Sequence, residues 1–185
     1  MTESCRITAL YAYPVKSCRG NTLSSIEISP QGVSGDRQLV ILQNDRFINQ
    51  ARLPALAKLA ATRIDLEEIE LAHGADASLR HRIAAQGREL TIEYYGNQVP
   101  VIDQGDALAE FASTVVGTPI RLAALKSSFT RAIPLPEFSI VDGIEQNRFV
   151  DAAPILLTNV GSLDDLNTRL ETPVPMGRFR PNIVV

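Results

Sequence analysis

Tyr13-Pro14-Val15-Lys16-Ser17-Cys18-Arg19-Gly20 is the stretch on which the rest of the chain turns. It follows an apolar run over residues 7–13 with the make-up of a strand. Pro14 has no N–H for a sheet ladder and biases Tyr13 toward extended geometry. A lysine, a hydroxyl, a thiol and a guanidinium then follow within four positions. The stretch therefore leaves a sheet and presents anion-binding groups at its end, where scaffolds commonly hold ligands. Two other stretches share the form. Gly32-Val33-Ser34-Gly35-Asp36-Arg37 is a glycine-punctuated loop that leads into the apolar run Leu39-Val40-Ile41-Leu42, and Arg178-Phe179-Arg180-Pro181-Asn182 precedes Ile183-Val184-Val185. Lysine supplies a point charge, arginine a planar two-pronged donor and serine a hydroxyl, a set that suits phosphate. The expectation is that these three segments converge on one phosphate-bearing ligand.

Composition sets the frame for that ligand. A chain of 185 residues is long enough for one large or two small domains and for a real core, burying roughly 70% of its unfolded surface. With 45% hydrophobic and 21% charged residues it is an ordinary globular sequence. A net charge of -3 and a pI near 5.4 exclude the basic face on which nucleic-acid binding rests. No apolar run reaches the length of a membrane span, and Met1-Thr2-Glu3-Ser4-Cys5-Arg6 lacks the features of a signal peptide, so a cytoplasmic protein without membrane contact is expected. Cys5 and Cys18 fit no metal spacing and are expected to stay reduced, and His73 and His81, eight positions apart among charged residues, read as surface histidines. No metal site built from the chain's own residues is expected.

In chain order, alternation predicts a strand over residues 23–28, then a Ser29-Pro30-Gln31-Gly32 turn. Strands over 38–43 and 46–50 join through Asn44-Asp45 as an antiparallel hairpin. Pro54 opens a short helix over 53–59, and residues 60–103 alternate short β-like runs with turns, as a meander closing a barrel. The clearest hairpin there runs 90–95 and 98–101 across Gly96-Asn97. A helix over 107–116, begun at Gly105-Asp106, ends at Gly117. After a strand over 120–125, residues 126–147 lose periodicity. Pro154 opens a strand over 154–157, and Ser162 caps a helix with Asp164 and Asp165 in its first turn. Residues 183–185 read as an unfinished apolar strand left at an edge, from which a longer natural protein is expected. The fold class is thus α+β and mainly β: a β-barrel-like domain over residues 1–122 with short helices, then the first part of a second barrel over 123–185.

Tyr13-Pro14-Val15-Lys16-Ser17 with Gly20, Gly35-Asp36-Arg37, the helix region 159–170, and Phe179-Arg180-Pro181-Asn182-Ile183-Val184, in this order and spacing, resemble the MOSC proteins. More specifically, the chain looks like the branch with an N-terminal MOSC β-barrel domain, which includes amidoxime-reducing components and their bacterial relatives, and the likeness covers the whole chain. The resemblance implies a molybdenum cofactor held between the two domains, an electron-donor redox protein as partner, and reduction of small N-hydroxylated substrates. It implies that Lys16, Ser17 and Arg37 bind the pterin and its phosphate, and that Arg180 and Asn182 contact it from the other side. The family's molybdenum-ligating cysteine falls beyond Val185, so no catalytic residue is expected within the chain. Some relatives have Thr-Ser where Ala152-Ala153 stand before Pro154, a contact this chain lacks.

Blander readings stand beside these. Lys16 is a solvated charge at a strand end, Arg37 a turn-stabilising ion pair, Arg180 a strand leader and Cys18 a small buried residue, unless Lys16 and Arg19 lower the thiol pKa. Two further functional readings are a sulfur-carrier or pyridoxal phosphate-binding protein, with Lys16 as the amine, and a non-catalytic anion- or partner-binding domain.

Overall fold

The computed structural model describes residues 5–126, 129, 149–151 and 153–185. β1 (Ala9–Ala12) pairs antiparallel with β2 (Asn21–Leu23), so the organising stretch is the loop of a wide hairpin. The loop is woven into its neighbours. Lys16 N donates to Leu39 O at 2.8 Å, Arg37 N to Tyr13 O at 2.8 Å, and Arg19 N to Leu59 O at 2.8 Å. Val15 and Cys18 are fully buried between these attachments, in the same core cluster as Leu39, Ile41, Leu56 and Leu108. Backbone pairing satisfies the polar groups that entry into the core would otherwise strand.

β3 (Ile28–Ser29) and β4 (Gly32–Val33) form a small separate hairpin. The strand expected over 23–28 is therefore two short pieces, β2 and β3, each bound to a different partner. β5 (Leu39–Gln43) and β6 (Arg46–Ile48) turn through Asn44 and Asp45, whose φ values of 52° and 56° make the hairpin turn that matches strand twist. A five-stranded antiparallel sheet has the order β10 (Glu89–Tyr94), β11 (Asn97–Asp103), β12 (Arg121–Leu125), β5, β6. Leu39 and Ile41 pack on one side of it, Val40 and Leu42 with Tyr94, Val101 and Phe149 on the other. Both faces of β5 are covered, which explains an unbroken apolar run where a half-buried strand alternates. The β10–β11 turn is Tyr95-Gly96, with φ 48° and 78°, one residue earlier than the sequence suggested.

A 3-10 turn at Pro54–Lys58 precedes the meander β7 (Ala60–Arg63), β8 (Glu68–His73), β9 (Ala77–Arg82). α1 (Asp106–Val116) buries Leu108, Ala112 and Val116 and stops at Gly117, whose φ of 77° is the left-handed cap a helix end favours. The molecule is α+β and mainly β, its N-terminal part curled as a half-barrel.

The final described segment contributes β13 (Leu157–Thr158), α2 (Val160–Thr168), a 3-10 turn at Met176–Arg178 and β14 (Ile183–Val184). α2 starts earlier than expected: the side chain of Asn159 caps it by accepting from Ser162 N, and no acidic residue lies in the first turn. β14 is not an open edge. It runs antiparallel to β1, Ala9 facing Val184, and parallel to β13, giving a sheet ordered β13-β14-β1-β2. That insertion carries Arg180 and Asn182 to the mouth of the β1–β2 loop. The aperiodic segment expected over 126–147 lies largely outside the described residues.

Candidate anion-binding site

Lys16, Ser17, Arg37, Arg180 and Asn182 all line one cavity of about 420 Å³, joined by Asp151. The three sequence segments thus meet at one place. Ser17, Arg37 and Arg180 hold left-handed backbone, with φ of 71°, 46° and 57°. Among the described residues the other non-glycine residues in that region are Asn44, Asp45 and Tyr95, all in hairpin turns that call for it. Side chains of L-residues resist this conformation by roughly 1–3 kcal/mol each, and it persists where surrounding structure dictates it. The Leu39, Tyr13 and Leu59 attachments supply that constraint for the loop.

Lys16 is 5% exposed, and its ammonium lies 2.8 Å from Asp151 Oδ1 and 5.8 Å and 5.9 Å from the ring centres of Tyr94 and Phe47. Burial pushes its pKa down to about 8; Asp151 opposes the shift, and Arg37 and Arg180 add to it. Nothing in the sequence announced a lowered lysine. Partial burial would raise the Asp151 carboxyl, yet the Lys16 charge and hydrogen bond, aided by Tyr95 and Arg37, hold it below the usual carboxylate range.

Arg37 donates to Asp36, to Arg180 O at 3.1 Å and to Asn182 Oδ1 at 3.4 Å, while Asp36 accepts from Tyr13 N at 2.7 Å. Asn182 is fully buried; its Oδ1 also accepts from Leu156 N at 3.1 Å and its Nδ2 donates to Tyr11 O at 3.4 Å. Its side chain is a brace between segments. Arg180 donates to Cys18 O and lies 4.6 Å over the Tyr13 ring, with Arg37 at 5.2 Å from the same ring. Burial and then Arg37 hold the Arg180 pKa below its ordinary value. Its Nη2 is buried with no hydrogen-bond partner among the described residues. Three cations therefore face two carboxylates, and one guanidinium keeps a donor unspent. Such an arrangement has the charge and donors to hold an anion.

Asp151, Gln50, Phe47 and Tyr94 complete the site and were not singled out by the sequence. Gln50 donates to Ser17 O at 2.7 Å and fixes the left-handed turn. Nothing local separates Asp151 from an ordinary surface acid, and its carboxylate is 67% exposed. Ala153 lines the cavity; Ala152 lies outside the described residues. Cys18 is fully buried, and burial pushes its thiol up to about 12 against the pull of Arg180, so it is a core residue rather than a reactive thiolate. Among the described residues no group of three or more His, Cys, Asp or Glu is placed to hold a metal. His81 is half-buried and bonded to Gln104 at 3.1 Å, and His73 is exposed. No helix among the described residues is long and apolar enough to cross a membrane.

Comparison with known proteins gives a family. The pattern of the MOSC N-terminal beta barrel domain matches residues 4–119, and that of the MOSC domain matches residues 145–185. The chain is 28% identical to mitochondrial amidoxime reducing component 2 of Bos taurus, over 97% of this chain and 55% of that protein. It is 30% identical to mitochondrial amidoxime reducing component 2 of Macaca fascicularis, over 97% and 56%. To the molybdenum cofactor sulfurase of Oryza sativa subsp. japonica it is 28% identical, over 97% of this chain and 24% of that protein. The chain spans about half the length of the amidoxime-reducing relatives it matches.

Proposed function

The chain belongs to the MOSC family, and from that premise we propose that its cavity binds the phosphate-bearing pterin of a molybdenum cofactor in an oxidoreductase that reduces small N-hydroxylated compounds. The observation that carries the reading is Arg180: a half-buried arginine with no carboxylate hydrogen-bonded to it and a buried, partnerless Nη2 among the described residues, beside Lys16 and Arg37. The donor set fits the group. Arg180 and Arg37 offer planar forks and Lys16 a compact charge, and each charge-assisted contact contributes about 1.5–3 kcal/mol. The left-handed backbone at Ser17, Arg37 and Arg180 fixes these donors before any ligand arrives. When bound, the molybdenum supplies the redox chemistry and the chain binds and orients the cofactor. An electron-donor redox protein completes the cycle. The reading assigns the metal no ligand among the described residues.

Metal and pterin content test it. Prepared from a host that makes the cofactor, the parent protein is expected to carry pterin fluorescence, and Lys16→Gln, Arg37→Gln and Arg180→Gln to lose most of it. Pterin absent from the parent, or retained in all three variants, overturns the reading and favours a domain that binds a simpler anion.

One observation supports a second reading, pyridoxal phosphate binding. With its pKa lowered to about 8, Lys16 has a substantial neutral fraction near that pH, and a neutral amine attacks an aldehyde. Pyridoxal phosphate with borohydride would leave a reduced adduct on the peptide containing Lys16, found by mass spectrometry and absent from Lys16→Arg. No adduct on Lys16 removes this reading.

A further inference from the structure

A second and larger cavity, about 960 Å³, lies on the other side of Arg180. The two cavities share Arg180, Gln50 and Ala51 on their linings, and otherwise differ in kind. The first pairs its cations with Asp151. The second is lined by Arg19, Arg178 and Arg180 and by no carboxylate. Much of its remaining lining is flat and apolar: Pro54, Pro173 and Pro175, with Tyr11 and Tyr13, whose rings are near-parallel at 24° with centres 6.4 Å apart. Arg178 and Arg19 are exposed, while Tyr13 is 3% exposed.

Two buried polar atoms without partners belong to residues of this lining, Tyr13 Oη and Arg180 Nη2. A buried hydroxyl and a buried guanidinium N–H left unmade are costly, and these two belong to neighbouring side chains, the Arg180 guanidinium lying 4.6 Å over the Tyr13 ring. Burial also pushes the Tyr13 phenol up to about 12, so at neutral pH it is a protonated donor and not a charge. A neutral O–H and a cationic N–H together match the two oxygens of a carboxylate. The apolar walls match the flat face of a ring.

We propose that this second cavity binds a small planar anion of the aromatic carboxylate class, with its carboxylate on Tyr13 Oη and Arg180 and its ring against the tyrosine and proline walls. The site shares Arg180 with the cofactor reading but not Lys16, Ser17, Arg37 or Asn182, which do not line it. Its ligand sits one guanidinium away from the first cavity, so the two occupants share Arg180 and sense each other's charge.

The test measures binding of 2-naphthoate by titration calorimetry to the full chain, with 2-naphthamide as the neutral isostere and inorganic phosphate as competitor. Saturable naphthoate binding is expected, with the amide at least about 20-fold weaker. Tyr13→Phe, which keeps the ring, and Arg178→Gln, an exposed position that leaves folding intact, are each expected to weaken it about tenfold. Lys16→Gln is expected to leave it within about twofold. Equal affinity for the amide, displacement by phosphate at matching concentration, or loss in Lys16→Gln with retention in Tyr13→Phe and Arg178→Gln would each overturn the proposal. Pterin content of the same preparations reads the first cavity separately, so the two readings can fail independently.

Discussion

At the start of α1, Asp103 accepts from Arg121 Nε at 2.5 Å and Nη2 at 2.7 Å and from Gly105 N at 2.7 Å, while Arg121 also reaches Asp106 at 2.9 Å. Around the β1–β2 loop, among the described residues, Lys16, Arg37 and Arg180 meet only the carboxylates of Asp36 and Asp151, and Arg180 keeps a buried N–H unmatched. The residue types are the same; the accounts close in one cluster and stay open in the other. A closed cluster stabilises the native chain and has nothing to offer a ligand. An open one costs stability and is kept for binding. Position in the fold tells the same story, since Asp103 and Arg121 staple β11 and β12 to a helix start, whereas the open cluster rims a cavity.

The largest expected effect lies in the closed cluster. Asp103→Ala removes three accepted hydrogen bonds from a carboxylate 3% exposed, and a loss of about 2–4 kcal/mol is expected in urea unfolding. A loss under about 0.5 kcal/mol would erase the distinction. Arg180→Met is expected to behave oppositely: ligand-free stability within about 1 kcal/mol of the parent, or higher, with sulfate affinity down about tenfold. Substantial unfolding in that variant would show Arg180 to be structural after all.

Lys16 sharpens the comparison through pH. Its folded-state pKa is lowered to about 8, while the unfolded chain titrates near the ordinary lysine value of about 10.4. Between those values the unfolded chain holds more protons, so Lys16 makes stability rise with pH across that window. Sulfate affinity runs the other way and falls as pH passes about 8, when the ammonium discharges. Lys16→Met should flatten the stability rise, and Lys16→Arg should hold sulfate affinity level; a parent with no pH dependence above 7.5 in either quantity contradicts both. The smallest effect belongs to an exposed pair at the end of α2, Asp165 and the capping Arg169, at 62% and 70% exposure. Asp165→Asn is expected to change stability by less than about 0.5 kcal/mol in the same urea assay.

What the sequence disclosed follows from the range of the forces involved. The Asn44-Asp45 hairpin, the Pro54 turn and the α1 stop at Gly117 are local, set by backbone preferences within a few residues, and the chain carries them openly. The break between β2 and β3 was hidden because the alternation over 23–28 continues across it, while pairing partners decide where a strand ends. α2 misled because two helix caps were present in series, and Asn159 captured the first turn before Ser162. In the site, three segments advertised their donors, since clustered Lys, Ser, Arg and Asn near Gly and Pro have few other uses. Asp151, Phe47 and Tyr94 did not, because only the fold brings an exposed acid and two core rings to Lys16. The partnerless Nη2 of Arg180 is likewise a property of neighbours and not of spacing.

The pairing of β14 with β1 has a consequence for biosynthesis. Arg37 and the Arg180 carbonyl it binds are 143 positions apart in the chain. A ribosome therefore releases Lys16, Ser17 and Arg37 long before their counterpart exists. The nascent chain carries only part of the cradle until Arg180 and Asn182 have been made. An anion meeting it then finds Lys16 and Arg37 without Arg180 and Asn182, so contact with the whole donor set belongs to the time after β14 has zipped onto β1.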